Sequence, residues 1–346
     1  MGRPSVIGGE LCEIAARMVA NDKGLLAIDE SDATCNTRFA AHGIAQTGEM
    51  RRAYRELILT TPGLGSSISG VILYDETIRQ ETAGGVPFLR VLEDAKIIPG
   101  IKVDIGLEDL ANLPHEKITG GLDGLRARLQ TYFRMGARFA KWRCVFFVDD
   151  SLPSRGCIEA NAHGLARYAA LCQEAGLVPV VEPEILMVGA HNMDRSAAVT
   201  EEVLRTVFSQ LIGQGVVLEA MILKPSMVLP GAEYAVYASL EQVATATLKC
   251  LLRAVPAAVP GSAFLSGGQT PELASMRLNA INLHSRGQTP WPLTFSFARA
   301  IQEPALAIWG GRAENLAAAQ RSLGHRTRMN RAARQGDYAR AMEMAT

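Results

Sequence analysis

Short runs rich in apolar and β-branched residues alternate with longer amphipathic segments along most of this chain. The runs fall at 24–30, 70–75, 98–104, 139–148, 178–185, 220–227, 263–266 and 292–297. Their starts are roughly 30–45 residues apart, about the length of a strand, a helix and two loops. Between them the apolar period lengthens from that of a strand to that of a helix. The segment 121–133 gathers Leu122, Leu125, Leu129, Tyr132 and Phe133 on one helical face. The segment 201–212 does the same with Val203, Leu204, Val207, Leu211 and Ile212. Ser239 stands where an N-cap belongs, ahead of Val243, Leu248 and Leu251. Gly136, Gly176 and Gly215 each separate a helical pattern from the next strand, as C-caps do.

Eight such units predict an α/β fold, a (β/α)8 TIM barrel, as one domain over 1–346. Such barrels need about 250 residues. The surplus falls in an N-terminal helical extension, between the first two strands, and in a helical C-terminal tail from Glu314 to Met344. A doubly wound sheet is the structural rival. It is weakened because no G-x-G-x-x-G follows the first strand.

Several strands carry charges that an apolar ladder should reject. Lys224 interrupts Met221-Ile222-Leu223, and Lys102, Lys141, Arg143, Glu182 and Glu184 interrupt three others. Burying an ammonium is costly, so such a lysine either pairs with a carboxylate or takes a lowered pKa that leaves a neutral, nucleophilic amine. Alternation settles which side chains share a face. Lys102 and Asp104, Lys141 and Arg143, Glu182 and Glu184, and Asp29 and Ser31 are each two apart. The helix-facing side of a barrel strand cannot hold charges, so these point to the axis. They also sit toward strand C-termini, where barrels place chemistry. Taken singly, each has a bland reading: a lysine neutralised across the axis, or Glu182-Pro183-Glu184 as a solvated loop. Together they describe a polar site.

Its chemistry is that of an amine nucleophile, carboxylates for proton transfer, and excess cations. Three crowded lysines should depress one another's pKa, and a neutral lysine can condense with a ketone to form an electron sink. Glu182 could move the proton. Ser266-Gly267-Gly268 and Arg299, after the seventh and eighth strands, suit a phosphate. The six histidines show no paired ligand spacing, so no metal is expected.

Composition narrows the remaining choices. The chain has 346 residues, 48% of them hydrophobic, with 35 basic and 35 acidic groups. That balance argues against nucleic-acid or membrane partners recruited by bulk charge. The six scattered cysteines contain no C-x-x-C pair and read as buried, reduced thiols. The opening residues 1–6 lack an apolar leader, and a cytoplasmic location is expected.

The chain resembles the class I, Schiff-base fructose-1,6-bisphosphate aldolases over about 10–340. The resemblance is carried by Leu25-Leu26-Ala27-Ile28-Asp29-Glu30-Ser31, Gly100-Ile101-Lys102-Val103-Asp104, Lys141-Trp142-Arg143, Val181-Glu182-Pro183-Glu184, Leu223-Lys224-Pro225-Ser226, Leu265-Ser266-Gly267-Gly268-Gln269 and Leu293-Thr294-Phe295-Ser296-Phe297. It implies a barrel enzyme that reversibly splits fructose 1,6-bisphosphate into dihydroxyacetone phosphate and glyceraldehyde 3-phosphate, without a cofactor. By the same resemblance Lys224 is the Schiff-base lysine and Glu182 the general acid/base. Asp29 and Lys141 attend the substrate hydroxyls, and Glu184 tunes the base. Ser31, Thr34, Arg38, Lys102 and Arg143 match positions around the sugar chain and 6-phosphate. Ser266, Gly267, Gly268, Ser296 and Arg299 match those around the 1-phosphate.

The resemblance further implies a homo-oligomer, a tetramer. Thr34 replaces a more usual serine, and Phe297-Ala298-Arg299 replaces the Tyr-Gly-Arg of animal members, so Ala298 is expected to reshape that phosphate contact. Animal members use a C-terminal tyrosine to reprotonate the enamine. Here the last tyrosine is Tyr338, before Met344-Ala345-Thr346, so Glu182, water or another group is expected to serve. The alternatives are a lysine-dependent aldolase preferring sedoheptulose 1,7-bisphosphate or fructose 1-phosphate, and a non-catalytic barrel scaffold.

Overall fold

Parallel strands β1 (Gly24–Ala27), β2 (Ile68–Leu73), β3 (Ile98–Lys102), β6 (Phe139–Phe146), β7 (Val178–Ile185), β8 (Ile222–Leu223), β9 (Ser262–Phe264) and β10 (Leu293–Phe297) close into a barrel. The computed structural model describes residues 5–344. The expectations placed on 1–4 and 345–346 lie outside them. The short hairpin β4 (Gly106–Asp109) and β5 (Lys117–Gly120) follows β3 and pairs antiparallel. Nothing in the apolar pattern announced it, because most of its residues are exposed or half-buried.

All eight barrel strands lie within or beside the expected runs. β8 is the shortest because Pro225 has no N–H to continue its ladder. The sheet register nevertheless persists through Lys224, whose N–H donates to the Val181 carbonyl at 2.8 Å.

The barrel axis is polarised along its length. Leu25, Ala27, Ile72, Ile98, Phe139, Val178, Val180, Ala220, Ile222 and Ala263 fill its lower part. The helix Ser5–Met18 plugs that end, adding Leu11, Ile14, Ala15 and Met18 to the same cluster. Gly100 is required there, since a Cβ would stand 2.2 Å from the Phe139 ring. On β1, β6, β7 and β8 a charge follows the last of these apolar residues by two positions: Asp29, Lys141, Glu182 and Lys224. A sealed, dry floor therefore forces the polar residues to the C-terminal mouth.

The surrounding helices largely follow the expected faces. Ser239 forms a capping box with Gln242 at the start of the helix Leu240–Ala254. Leu125, Leu129 and Tyr132 are buried on the helix Leu125–Met135, which begins later than 121 because Gly124 takes a left-handed conformation. Two positions were misassigned. Phe133 and Ile212 are exposed, Phe133 lying instead under the Arg138 guanidinium at 5.0 Å. The helix Leu316–Gln335 supplies the expected tail. Five of the six cysteines are buried. Among the described residues no helix is long and apolar enough to cross a membrane.

Candidate active site

Four buried side chains form a line across the barrel mouth. Lys224 Nζ lies 2.9 Å from Glu182 Oε1, Lys141 Nζ lies 3.1 Å from Glu182 Oε2, and the same Nζ lies 2.7 Å from Asp29 Oδ2. Strand alternation produces this line: each residue follows the last apolar floor residue of its strand by two positions. Of the two outcomes open to a buried lysine, Lys224 shows the paired one. The Lys141 approach to Glu182 Oε2 is poorly angled, so among the described residues that oxygen has no hydrogen-bond partner and remains an acceptor.

The electrostatics of the line depart from simple lysine crowding. Burial alone would lower the Lys141 pKa, yet Asp29, Glu182 and Asp104 outweigh it and hold the amine more firmly protonated than usual. Mutual depression is therefore not what this geometry gives at Lys141, because carboxylates are interleaved with the lysines. Burial would raise Glu182, but Lys141, Lys224 and Arg143 bring it below the usual carboxylate range. It is thus ionised near neutrality, the form a base needs.

Asp29 follows the same logic. Burial opposes ionisation, and Lys141, Lys224 and Lys102 overcome it, lowering the carboxyl from 3.8 to about 2. A depressed folded pKa stabilises fully above the unfolded value, and that stabilisation is lost as pH falls through the folded one. The contribution is ~2 kcal/mol. Denaturant titrations of wild type and Asp29→Asn are expected to converge between about pH 5 and about pH 2. A stability gap that stays constant over that window would contradict the assignment.

The line borders a cavity of ≈ 800 Å³ that also receives Ser31, Thr34, Arg38, Lys102, Arg143, Glu184, Ser266, Gly267, Ser296 and Arg299. Gly268 is not among the residues that line it, although a Cβ there would stand 3.8 Å from Arg299 Nη2. The cavity's cations divide by what they already hold. Lys102 is paired with Asp104 at 2.7 Å, Arg143 with Glu184 at 2.5 Å, and Arg38 with Glu30 and Glu303. Ser31 caps the helix Asp32–Ala41 and its Oγ lies 3.1 Å from Thr34 Oγ1, so threonine keeps the hydroxyl contact. Glu184 thus engages Arg143 directly.

Arg299 and Ser296 are less satisfied. Arg299 makes no ion pair or hydrogen bond among the described residues, and Ser296 Oγ is buried without a partner. Gly267 and Gly268 have φ of +57° and +85°, left-handed values that favour glycine. A free guanidinium, an unpartnered hydroxyl and a glycine turn have the chemistry to hold an anion. Ala298 has φ −108°, so its Cβ brings no left-handed strain there.

Some residues escaped the sequence reading. Asp104 was seen only as a neighbour of Lys102, although it holds that amine through both its carboxylate and its carbonyl. Glu30 lies on the opposite face from Asp29, and alternation therefore hid it. Gln302 had no signal at all. Tyr338 is buried and donates to Glu343 at 2.8 Å, and it does not line the cavity.

No group of three or more His, Cys, Asp or Glu among the described residues is placed to hold a metal ion. A second hollow of ≈ 870 Å³ flanks the barrel between the helices Met193–Gly213 and Leu240–Ala254. Its Glu201 is already paired with Arg205 and Arg253, so it offers no convergent chemistry.

A buried amine touching a carboxylate, at the mouth of a (β/α)8 barrel with an anion site alongside, defines an amine-dependent lyase of phosphorylated substrates. Comparison with known proteins makes this specific. Residues 10–346 match the model of the family "Fructose-bisphosphate aldolase class-I". A probable class 1 fructose-bisphosphate aldolase of Xanthomonas campestris is 53% identical over 330 residues, covering 95% of this chain and 98% of that protein. The cytosolic fructose-bisphosphate aldolase 4 of Arabidopsis thaliana is 47% identical, covering 95% of this chain and 84% of that protein. The solved fructose-bisphosphate aldolase of Plasmodium falciparum, in complex with TRAP and a small-molecule inhibitor, superposes with a TM-score of 0.96 at 45% identity. That match covers 98% of both chains. The chain belongs to the class I fructose-bisphosphate aldolase family, lyases that cleave fructose 1,6-bisphosphate through a lysine Schiff base in glycolysis and gluconeogenesis.

Proposed function

We propose that Lys224 is the Schiff-base lysine and Glu182 its proton-transfer partner, and that residues 1–346 act as one domain. The observation that carries this reading is the 2.9 Å contact between Lys224 Nζ and a Glu182 carboxylate that is also within reach of Lys141. Glu182 accepts the proton that Lys224 must lose before its amine adds to the C2 carbonyl of the ketose. The carbinolamine then expels its C2 hydroxyl as water, with Glu182 returning a proton to it, and an iminium results. As the C3–C4 bond breaks, its electron pair moves into the iminium to give an enamine. The C4 hydroxyl proton passes to Glu182, and glyceraldehyde 3-phosphate leaves. Protonation of the enamine at C3 and hydrolysis then release dihydroxyacetone phosphate and the free lysine. Asp29 and Lys141 hold the substrate hydroxyls, and the Lys141 charge steadies the developing alkoxide.

In this reading Ser266, Gly267, Gly268, Ser296 and Arg299 take the 1-phosphate. Ser31, Thr34, Arg38, Lys102 and Arg143 take the sugar chain and the 6-phosphate, exchanging intramolecular partners for the ligand. No cofactor is required. In this reading the enzyme works in the cytoplasm and as a homo-oligomer, a tetramer by family resemblance, whose assembly light scattering would read. A steady-state assay with EDTA across fructose 1,6-bisphosphate, sedoheptulose 1,7-bisphosphate and fructose 1-phosphate tests the whole reading. Turnover that needs a divalent ion, or no triose product, would sink it. The second outcome would favour a non-catalytic barrel.

Arg299→Ala removes the one cavity arginine with no intramolecular partner among the described residues. A charged hydrogen bond lost to phosphate is expected to raise KM about 10- to 100-fold, with kcat changed less than about threefold. Unchanged KM would remove Arg299 from the phosphate site.

A further inference from the structure

Gln302 is fully buried beneath the cavity wall, where it joins the two elements that present the proposed phosphate ends. Its amide is satisfied on every side. Nε2 donates to the Ala27 carbonyl at the end of β1 and to Glu30 Oε1 at 2.9 Å. Oε1 accepts from Arg38 Nη1 at 2.9 Å and from the Tyr54 hydroxyl at 3.0 Å. Glu30 completes the unit by accepting from Arg38 Nη1 at 2.7 Å and Arg55 Nη1 at 2.9 Å. Arg38 belongs to the helix Asp32–Ala41, which Ser31 caps, and Tyr54 and Arg55 to the helix Gly48–Leu59. Gln302 itself lies one turn into the helix Arg299–Trp309, whose first residue is Arg299.

We infer that Gln302 and Glu30 are positioning residues that fix the separation of the two phosphate ends. The inference rests on the assignment of those ends above. Ser31 and Thr34 approach from one helix and Arg299 from another; the pairing of β1 with β10 runs only to Leu26 and Phe297, so the loops that lead to the two helix starts lie beyond the ladder. A buried amide with four partners in a low-dielectric site holds them more rigidly than a surface salt bridge could. Neither residue touches the reacting carbons. Their effect should therefore appear for ligands that span both ends and vanish for those that occupy one.

The test compares inhibition by two non-cleavable probes, hexitol 1,6-bisphosphate and hexitol 1-phosphate, in wild type and Gln302→Met. Methionine keeps the volume and deletes all four hydrogen bonds. The Ki of the bisphosphate is expected to rise about tenfold, as for one lost buried polar contact, and that of the monophosphate to change less than about twofold. KM for fructose 1,6-bisphosphate should follow the bisphosphate, while kcat stays within about threefold. Equal losses for both probes would mark a general structural role and overturn the inference, as would no change in either. If Gln302→Met does not fold, Tyr54→Phe carries the test by deleting one hydrogen bond to Oε1. The ratio of the two Ki values should then shift by about two- to threefold in the same sense, and an unshifted ratio overturns the inference. Arg299→Ala in the same assay separates the two failures. If it weakens neither probe, the assignment of the phosphate ends falls; if it weakens both while Gln302→Met does not discriminate, only the positioning role falls.

Discussion

Lys224→Met is expected to abolish cleavage, reducing turnover by at least about 10⁴-fold, because no other amine can replace the covalent step. Lys141 lies on the other side of Glu182, yet Asp29 and Glu182 keep it charged, and a protonated amine has no lone pair to add to a carbonyl. The variant should still fold. Glu182 keeps its ion pair with Lys141 at 3.1 Å, so removing Lys224 does not leave the buried charge without a counter-charge. Borohydride reduction with dihydroxyacetone phosphate should add the mass of one reduced adduct to Lys224 in wild type and none to the variant. An adduct on Lys141 or Lys102, or cleavage retained without Lys224, would refute the assignment.

Glu182→Gln should still allow Lys224 to engage the ketose while slowing turnover by about 10²- to 10⁴-fold. Glutamine preserves the shape at the centre of the line but can neither take the C4 hydroxyl proton nor return one to the departing water. The loss should fall on kcat, with KM moved little, since the missing step is made in the transition state. The borohydride adduct should still form, more slowly, because Lys224 keeps its place at the end of β8. A variant with wild-type kcat would transfer the proton-moving role to another group. Asp29 would be the first to examine, as the other carboxylate paired with Lys141.

These two substitutions depend on a line of charges that strand alternation had already placed on one face. Lys102, Lys141, Glu182 and Lys224 were legible because a charge inside an apolar β-run violates the pattern at a definite parity. Phe133 and Ile212 failed for the complementary reason. Each sits at the flank of an amphipathic stripe, where periodicity cannot tell burial from exposure. The β4–β5 hairpin was invisible because neither of its faces is consistently apolar. Glu30 and Gln302 were missed because a buried network satisfied by remote partners leaves no local trace. Gln302 and Arg38 are 264 positions apart and hydrogen-bonded.

The lysine pattern shows a subtler limit. From composition alone, cations converging on one axis suggest mutual repulsion. The register instead sets Arg143 against Glu182, and closure of the barrel brings Asp29 from β1 to Lys141 on β6. The sign of the effect at Lys141 is therefore decided by which neighbours arrive, not by how many lysines the chain contains.

The linear chain determined the eight βα units, the parity of its charged residues and the chemistry those residues could perform, because backbone periodicity and side-chain solvation are local properties. Only the closed barrel decided who pairs with whom: that Glu182 stands between two lysines, that Arg299 alone among the cavity's arginines is left without a partner among the described residues, and that Gln302 ties two helices together. Those outcomes depend on distances between residues far apart in sequence, and in a low-dielectric interior such distances govern every ion pair.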